Sequence, residues 1–236
     1  MTPPSLAKRC VAEFVGTFGL VFAGTGAVVV NQASGGQITH LGVGTVFGLV
    51  VTAMIYATGH LSGAHLNPAV TIAFGLVRHF SPREIPQYCL AQLAGAAAAS
   101  LALEGLLGRS GTLGATLPAA GAGQAWGMEF ALTFILMFVI MAVATDTRNA
   151  GSAAAVAIGA TVALEAIFGG PISGASMNPA RSFGPALVAG VWEHFWVYVT
   201  APVAGAAAAA ALYQWLRGHE HAVRTPAAAA GAQELE

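Results

Sequence analysis

Two nine-residue stretches decide how this chain folds: Ser62-Gly63-Ala64-His65-Leu66-Asn67-Pro68-Ala69-Val70 and Ser173-Gly174-Ala175-Ser176-Met177-Asn178-Pro179-Ala180-Arg181. Asn is a preferred helix N-cap, and Pro is favoured at the first helical position, where its missing N–H costs nothing. Each Asn-Pro-Ala therefore starts a helix. The apolar segments around them, residues 66–77 and 177–191, are shorter than the roughly 20 residues a bilayer crossing takes. They read as re-entrant half-helices. Gly63, Ala64, His65 and Leu66 before one Asn, and Gly174, Ala175, Ser176 and Met177 before the other, must run as non-helical backbone. Such backbone survives at membrane depth only when buried in protein or lining water. Its carbonyls offer a row of acceptors to a pore. Half-helices entering from opposite faces bring their N-termini together near the midplane, each carrying about half a positive charge. Asn67 and Asn178 then aim their amide groups at one point.

The surrounding composition fits membrane burial. Of 236 residues, 56% are hydrophobic and 8% charged, with mean hydropathy +0.70. Soluble domains carry about 25% charged residues, so nine Lys+Arg and ten Asp+Glu cannot cover a soluble globule of this size. The net charge of −1 gives no basic surface for nucleic acid. Cys10 and Cys89 form neither a disulfide framework nor a metal motif. Six stretches are long enough to cross: 10–30, 41–59, 85–103, 126–145, 152–169 and 195–216. The first is long enough to stay as a span, so no cleavable leader is expected. An even number of spans puts both termini on one side. Lys8, Arg9, Arg78, Arg83, Arg148, Arg217 and Arg224 fall on that side and only Arg109 on the other, which places both termini in the cytoplasm.

The chain also repeats. Glu13-Phe14-Val15-Gly16-Thr17-Phe18 opens the first span and Glu129-Phe130-Ala131-Leu132-Thr133-Phe134 the fourth, and the Asn residues follow these Glu by 54 and 49 positions. A half with three spans is odd, so the second half inserts upside down. Inverted repeats form sites where they meet. The expectation is one channel domain over 1–236, with repeats at about 6–106 and 124–217. Residues 107–123 form an external hinge, and 218–236 a disordered tail. Glu13 and Glu129 are expected to accept hydrogen bonds from the irregular backbone before each half-helix rather than carry protons.

Two Asn-Pro-Ala motifs in equivalent places of an inverted repeat closely resemble the aquaporin (major intrinsic protein) family, over about residues 6–217. The resemblance implies an all-α membrane protein: six transmembrane helices, two re-entrant half-helices, one pore per chain and a homotetramer. It supports the same loop-bracing role for Glu13 and Glu129. It also implies a filter near the outer mouth. By spacing from the Asn residues, that filter comprises Phe47, Ala166, Ala175 and Arg181. Water-selective members usually carry His at the position of Ala166; two alanines remove that polar wall. The run from Gly170 to Ser182 is most similar to the nodulin-type branch and its bacterial relatives, which include conductors of glycerol and undissociated metalloid acids. Ser182, Ala186, Phe195 and Trp196 are more like the water-channel branch, and glycerol facilitators typically have Asp where Ser182 stands.

The expected function is passive conduction of water and small uncharged solutes, such as glycerol and arsenous acid, across a plasma or inner membrane, with protons and ions excluded. The expected partners are the permeating solutes and the lipid bilayer. Neither a cofactor nor a metal is expected, and no nucleophile–base set suggests an enzyme. A strictly water-selective channel is the alternative. A secondary transporter, which would need a coupling-ion site at the midplane, is more distant. Glu165 is expected either to orient Arg181 or to cap loop N–H groups. His60 and His65 read as packing and hydrogen-bonding residues, and Asp146 and Arg148 as a cytoplasmic turn.

Overall fold

Apolar runs become helices in a membrane because only internal hydrogen bonds can satisfy the backbone there. The structure, a computed structural model, describes residues 4–109, 111–146 and 153–218. It holds eight α-helices among them: α1 (Leu6–Ala33), α2 (Thr39–Ser62), α3 (Pro68–Leu76), α4 (Ile85–Leu107), α5 (Ala122–Ala144), α6 (Ala154–Ser173), α7 (Pro179–Ala189) and α8 (Val197–Arg217). Six of these, all but α3 and α7, are long and apolar enough to cross a bilayer. Most outrun the apolar stretches that announced them, because a helix continues past the hydrocarbon into the polar boundary. There α1 carries Arg9, which is held by two hydrogen bonds to Glu84 of 2.8 and 2.6 Å. The short helices α3 and α7 start at the two Pro residues, as the capping argument requires.

Close helix contacts fall at small residues, and they come in repeat-related pairs. A Cβ on Gly95 of α4 would lie 2.4 Å from the Phe14 carbonyl oxygen of α1. A Cβ on Gly205 of α8 would lie 2.4 Å from the Phe130 oxygen of α5. Helices α2 and α6 cross at Gly48 and Gly159 reciprocally: a Cβ on either would sit 2.5 Å from the other's carbonyl oxygen. Lipid supplies no hydrophobic drive between helices, so small residues that admit backbone contact hold the bundle together.

The connection between α4 and α5, expected as a hinge, is more than that. Leu113 is fully buried, and Ala119 donates its N–H to the Ile172 carbonyl at 3.0 Å. Thr116 is buried against Gly174, and Gly114 lies over Thr25. Gly and Ala allow this segment to fold down onto α1 and the loop after α6, which composition alone did not reveal. Arg148, Arg224 and, apart from Gly218, the tail expected at 218–236 lie outside the described residues. Asp146 is buried and accepts a hydrogen bond from the Tyr213 hydroxyl at 3.1 Å.

Candidate functional site

The two Asn-Pro-Ala segments adopt one backbone conformation twice. Gly63 and Gly174 have φ of 90° and 85°, Ala64 and Ala175 47° and 42°, and Leu66 and Met177 52° and 55°. Asn67 and Asn178 return to extended backbone at −156° and −152°. Left-handed backbone at a non-glycine residue costs about 1–3 kcal/mol and persists only when its surroundings hold it.

What holds it is a buried carboxylate in each half. Glu13 Oε1 accepts from Ser62 Oγ (2.7 Å) and His65 N (2.9 Å). Its Oε2 accepts from Leu66 N (2.7 Å) and Gln92 Nε2 (2.8 Å). Glu129 Oε1 accepts from Ser173 Oγ (2.7 Å) and Ser176 N (2.8 Å), and its Oε2 from Met177 N (2.7 Å). Tyr88 and Tyr198 complete the parallel, donating to the Ser62 and Ser173 carbonyls at 2.9 and 2.7 Å. Among the described residues each of these partners is a donor, so both oxygens of each carboxylate are tied to the loop it braces.

The half-helix tips meet through their asparagines. Each side-chain oxygen caps its own helix: Asn67 Oδ1 accepts from Ala69 N, and Asn178 Oδ1 from Ala180 N and Arg181 N. Each amide nitrogen reaches across instead. Asn67 Nδ2 donates to the Met177 carbonyl (2.7 Å), and Asn178 Nδ2 to the Leu66 carbonyl (2.8 Å). This modifies the expected acceptor row, because its last member in each half already holds the opposite asparagine. The second hydrogen of each amide remains for a solute.

A cavity runs past these groups. One wall is polar: Asn67, Asn178 and the loop residues Gly63, Ala64, His65, Leu66, Ala175, Ser176 and Met177 line it. The facing wall is apolar, built from side chains four residues apart. Phe47, Val51 and Ile55 come from α2, Leu136, Ile140 and Ala144 from α5, and Ala154, Ile158, Val162 and Ala166 from α6. The α6 stripe alone is about 18 Å long at 1.5 Å per residue. Phe47, Ala166, Ala175 and Arg181, the four residues selected by spacing, all line this cavity. Gly174, Pro68, Ala69, Pro179 and Ala180 are not among its lining residues, nor are Glu13 and Glu129, both fully buried.

Arg181 is the one cation on the lining. Its guanidinium carbon lies 5.1 Å from the Phe47 ring centroid, and its Nη1 donates to the Gly114 carbonyl at 2.7 Å. Gly114 went unnoticed in the sequence, since a carbonyl leaves no residue-type signature. Ser182 is drawn into a hydroxyl chain with Thr116 (2.7 Å) and Ser176 (2.5 Å) and does not line the cavity. His65 is wedged among Phe74, Phe80 and Tyr88, its Nδ1 3.2 Å from Thr71 Oγ1. Glu165 meets neither expectation held for it: it is fully buried, and among the described residues neither carboxyl oxygen has a hydrogen-bond partner.

Comparison with known proteins agrees with this geometry. The family model described as "Major intrinsic protein" matches residues 1–213. The chain is 51% identical over 211 residues to Aquaporin NIP1-1 of Oryza sativa subsp. japonica, covering 89% of this chain and 74% of that one. It is 46% identical over 215 residues to Aquaporin NIP6-1 of Arabidopsis thaliana, covering 90% and 70%. Among solved structures, the aquaglyceroporin from Plasmodium falciparum superposes with a TM-score of 0.82 at 28% identity, covering 89% of this chain and 96% of that one.

Proposed function

This chain belongs to the major intrinsic protein family and is a passive membrane channel for water and small solutes, not an enzyme, and we propose that its solutes include glycerol and undissociated metalloid acids such as arsenous acid. The observation that carries this reading is the filter's composition. Ala166 and Ala175 stand on the cavity lining with Phe47 and Arg181, and two methyl groups leave those sides short and unable to hydrogen-bond. A neutral solute with several hydroxyls fits such an opening and can accept from Arg181.

In the proposed mechanism water moves in file, donating to the carbonyls of Gly63, Ala64 and His65 and, beyond the asparagines, to those of Ser176 and Ala175. At the centre Asn67 and Asn178 each donate to the same water oxygen. A water held so cannot also accept a proton from its neighbour, and the proton wire breaks. The two half-helix N-termini and Arg181 add a positive barrier to protons and cations. The apolar wall binds nothing tightly, which keeps passage fast.

We further propose a homotetramer in a plasma or inner membrane with both termini cytoplasmic, the positive-inside distribution being the support for orientation. Repeats at about 6–106 and 124–217 match the paired backbone geometry of the two loops. The test of the filter is Ala166→His. Adding an imidazole to a methyl-sided opening should cut glycerol and arsenous acid flux at least about tenfold while water flux changes much less, as read by stopped-flow light scattering on proteoliposomes. Equal loss of water and solute flux would reject the steric reading.

A further inference from the structure

We propose that Glu165 is a specificity residue of this pore, whose carboxyl accepts hydroxyl hydrogens from a neutral polyhydroxylated solute as it passes Ala166. The inference rests on the solute range proposed above.

The starting observation is an imbalance. Glu165 is fully buried, yet neither carboxyl oxygen has a hydrogen-bond partner among the described residues. A buried polar group without a partner is among the costlier arrangements in a folded chain. The other two intramembrane acids, Glu13 and Glu129, are each held by donors on both oxygens. Arg181 does not satisfy Glu165: among the described residues no hydrogen bond joins them, and Arg181 Nη1 donates to the Gly114 carbonyl instead.

The fold itself does not ask for an acid here. Counting back eight residues from Ser62 and from Ser173, the paired serines of the two loops, gives Met54 in one half and Glu165 in the other. Met54 fills its place as an apolar side chain packed on the core. A polar group that the bundle neither needs nor satisfies points to a partner that arrives from outside.

Its placement says which partner. At 100° per residue Glu165 stands about 60° round α6 from Val162 and about 100° from Ala166, and both of these line the cavity. The carboxyl hangs on three rotatable bonds at the shoulder of the pore stripe. One turn further along α6 the same shoulder carries Gly169, whose open side is filled by the Leu132 side chain of α5, so the carboxyl's way out is toward Ala166. Ala166 presents only a methyl group. Glu165 does not line the cavity as it stands; its side chain must turn for an acceptor to reach the alanine-lined part of the pore, whereas Arg181 supplies donors. A molecule with several hydroxyls uses both; a single water is served by Arg181 and the loop carbonyls alone. Glu165 is therefore a determinant of solute flux rather than of water flux.

The test compares wild type with Glu165→Met, Glu165→Gln and Glu165→Asp in proteoliposomes, measuring water, glycerol and arsenous acid flux in each. Glu165→Met, borrowed from the paired position, should lower glycerol and arsenous acid flux about tenfold relative to water. Glu165→Gln keeps an acceptor of the same reach and should stay within about threefold of wild type. Glu165→Asp, one methylene shorter, should fall with Met; it reads the proposal if the Met protein fails to insert. An unchanged solute-to-water ratio in Met or Asp overturns the proposal, and so does an equal fall of all three fluxes, which is what a structural role would produce. Wild-type liposomes that pass water but neither solute would refute the solute range itself, and this proposal with it. That result is distinct from a permeable wild type with indifferent variants.

Discussion

At the residue scale, the asparagines and the two paired glutamates were legible because each does chemistry that only its residue type can do. Asn67 and Asn178 cap with an oxygen and reach across with a separate nitrogen donor, which an acceptor-only carboxylate cannot do. The glutamates' partners were harder to read. Gln92 and Ser173 look like ordinary helix residues until the fold brings them to Glu13 and Glu129. That partner set makes a graded prediction. Glu129→Gln keeps one acceptor but turns an amide N–H₂ toward a backbone donor, so it should lose about 1–3 kcal/mol. Glu129→Ala strands Ser173 Oγ, Ser176 N and Met177 N together and should lose more, measured as thermal unfolding in detergent. A Gln protein that melts with the Ala protein, or an Ala protein as stable as wild type, would remove the loop-bracing role. A proton-relay role would instead appear as proton flux lost in Glu129→Gln with stability intact.

At the element scale, helix number and type followed from apolar length, but helix ends and the external connection did not. Residues 107–123 have the composition of a flexible linker. Their order comes from long-range contacts, the burial of Leu113 and the Gly114 carbonyl on Arg181. At its C-terminal end α8 clasps α5 and the turn after α3 through Arg217. Its Nη1 donates to Thr145 O (3.1 Å) and Thr145 Oγ1 (3.0 Å), and its Nη2 to His79 Nε2 (2.8 Å). His79 accepts there, so it is neutral at that nitrogen. Burial holds it below its ordinary value, and the Arg217 charge adds to the effect. A histidine lowered in the folded state stabilises fully above its free value of about 6.5 and loses that contribution as pH falls. Melting in detergent should therefore fall between pH 7 and 5 by more in wild type than in His79→Gln, which cannot titrate. Superimposable pH profiles for the two would exclude His79 from the clasp.

At the scale of the whole molecule, the inverted repeat explains why so much could be read from one chain. Each half states its loop, its brace and its close helix contact once, and the other half restates them: Gly95 on Phe14 with Gly205 on Phe130, Tyr88 with Tyr198, Glu13 with Glu129. The halves part at the two positions on which the proposals rest. Arg181 stands where the first half has Val70, and Glu165 where it has Met54. The filter is where the repeat is broken, and that is why its solute range needed the structure and still needs a flux. The central claim is a pore that passes water and small neutral hydroxylated solutes and blocks charge. The direct measurement is stopped-flow light scattering on wild-type proteoliposomes given glycerol and arsenous acid gradients, with a pH-sensitive dye inside. The account predicts water, glycerol and arsenous acid flux above that of empty liposomes, with no added proton leak. Rapid water flux with both solutes at the empty-liposome level, or a proton leak that tracks channel content, would contradict it.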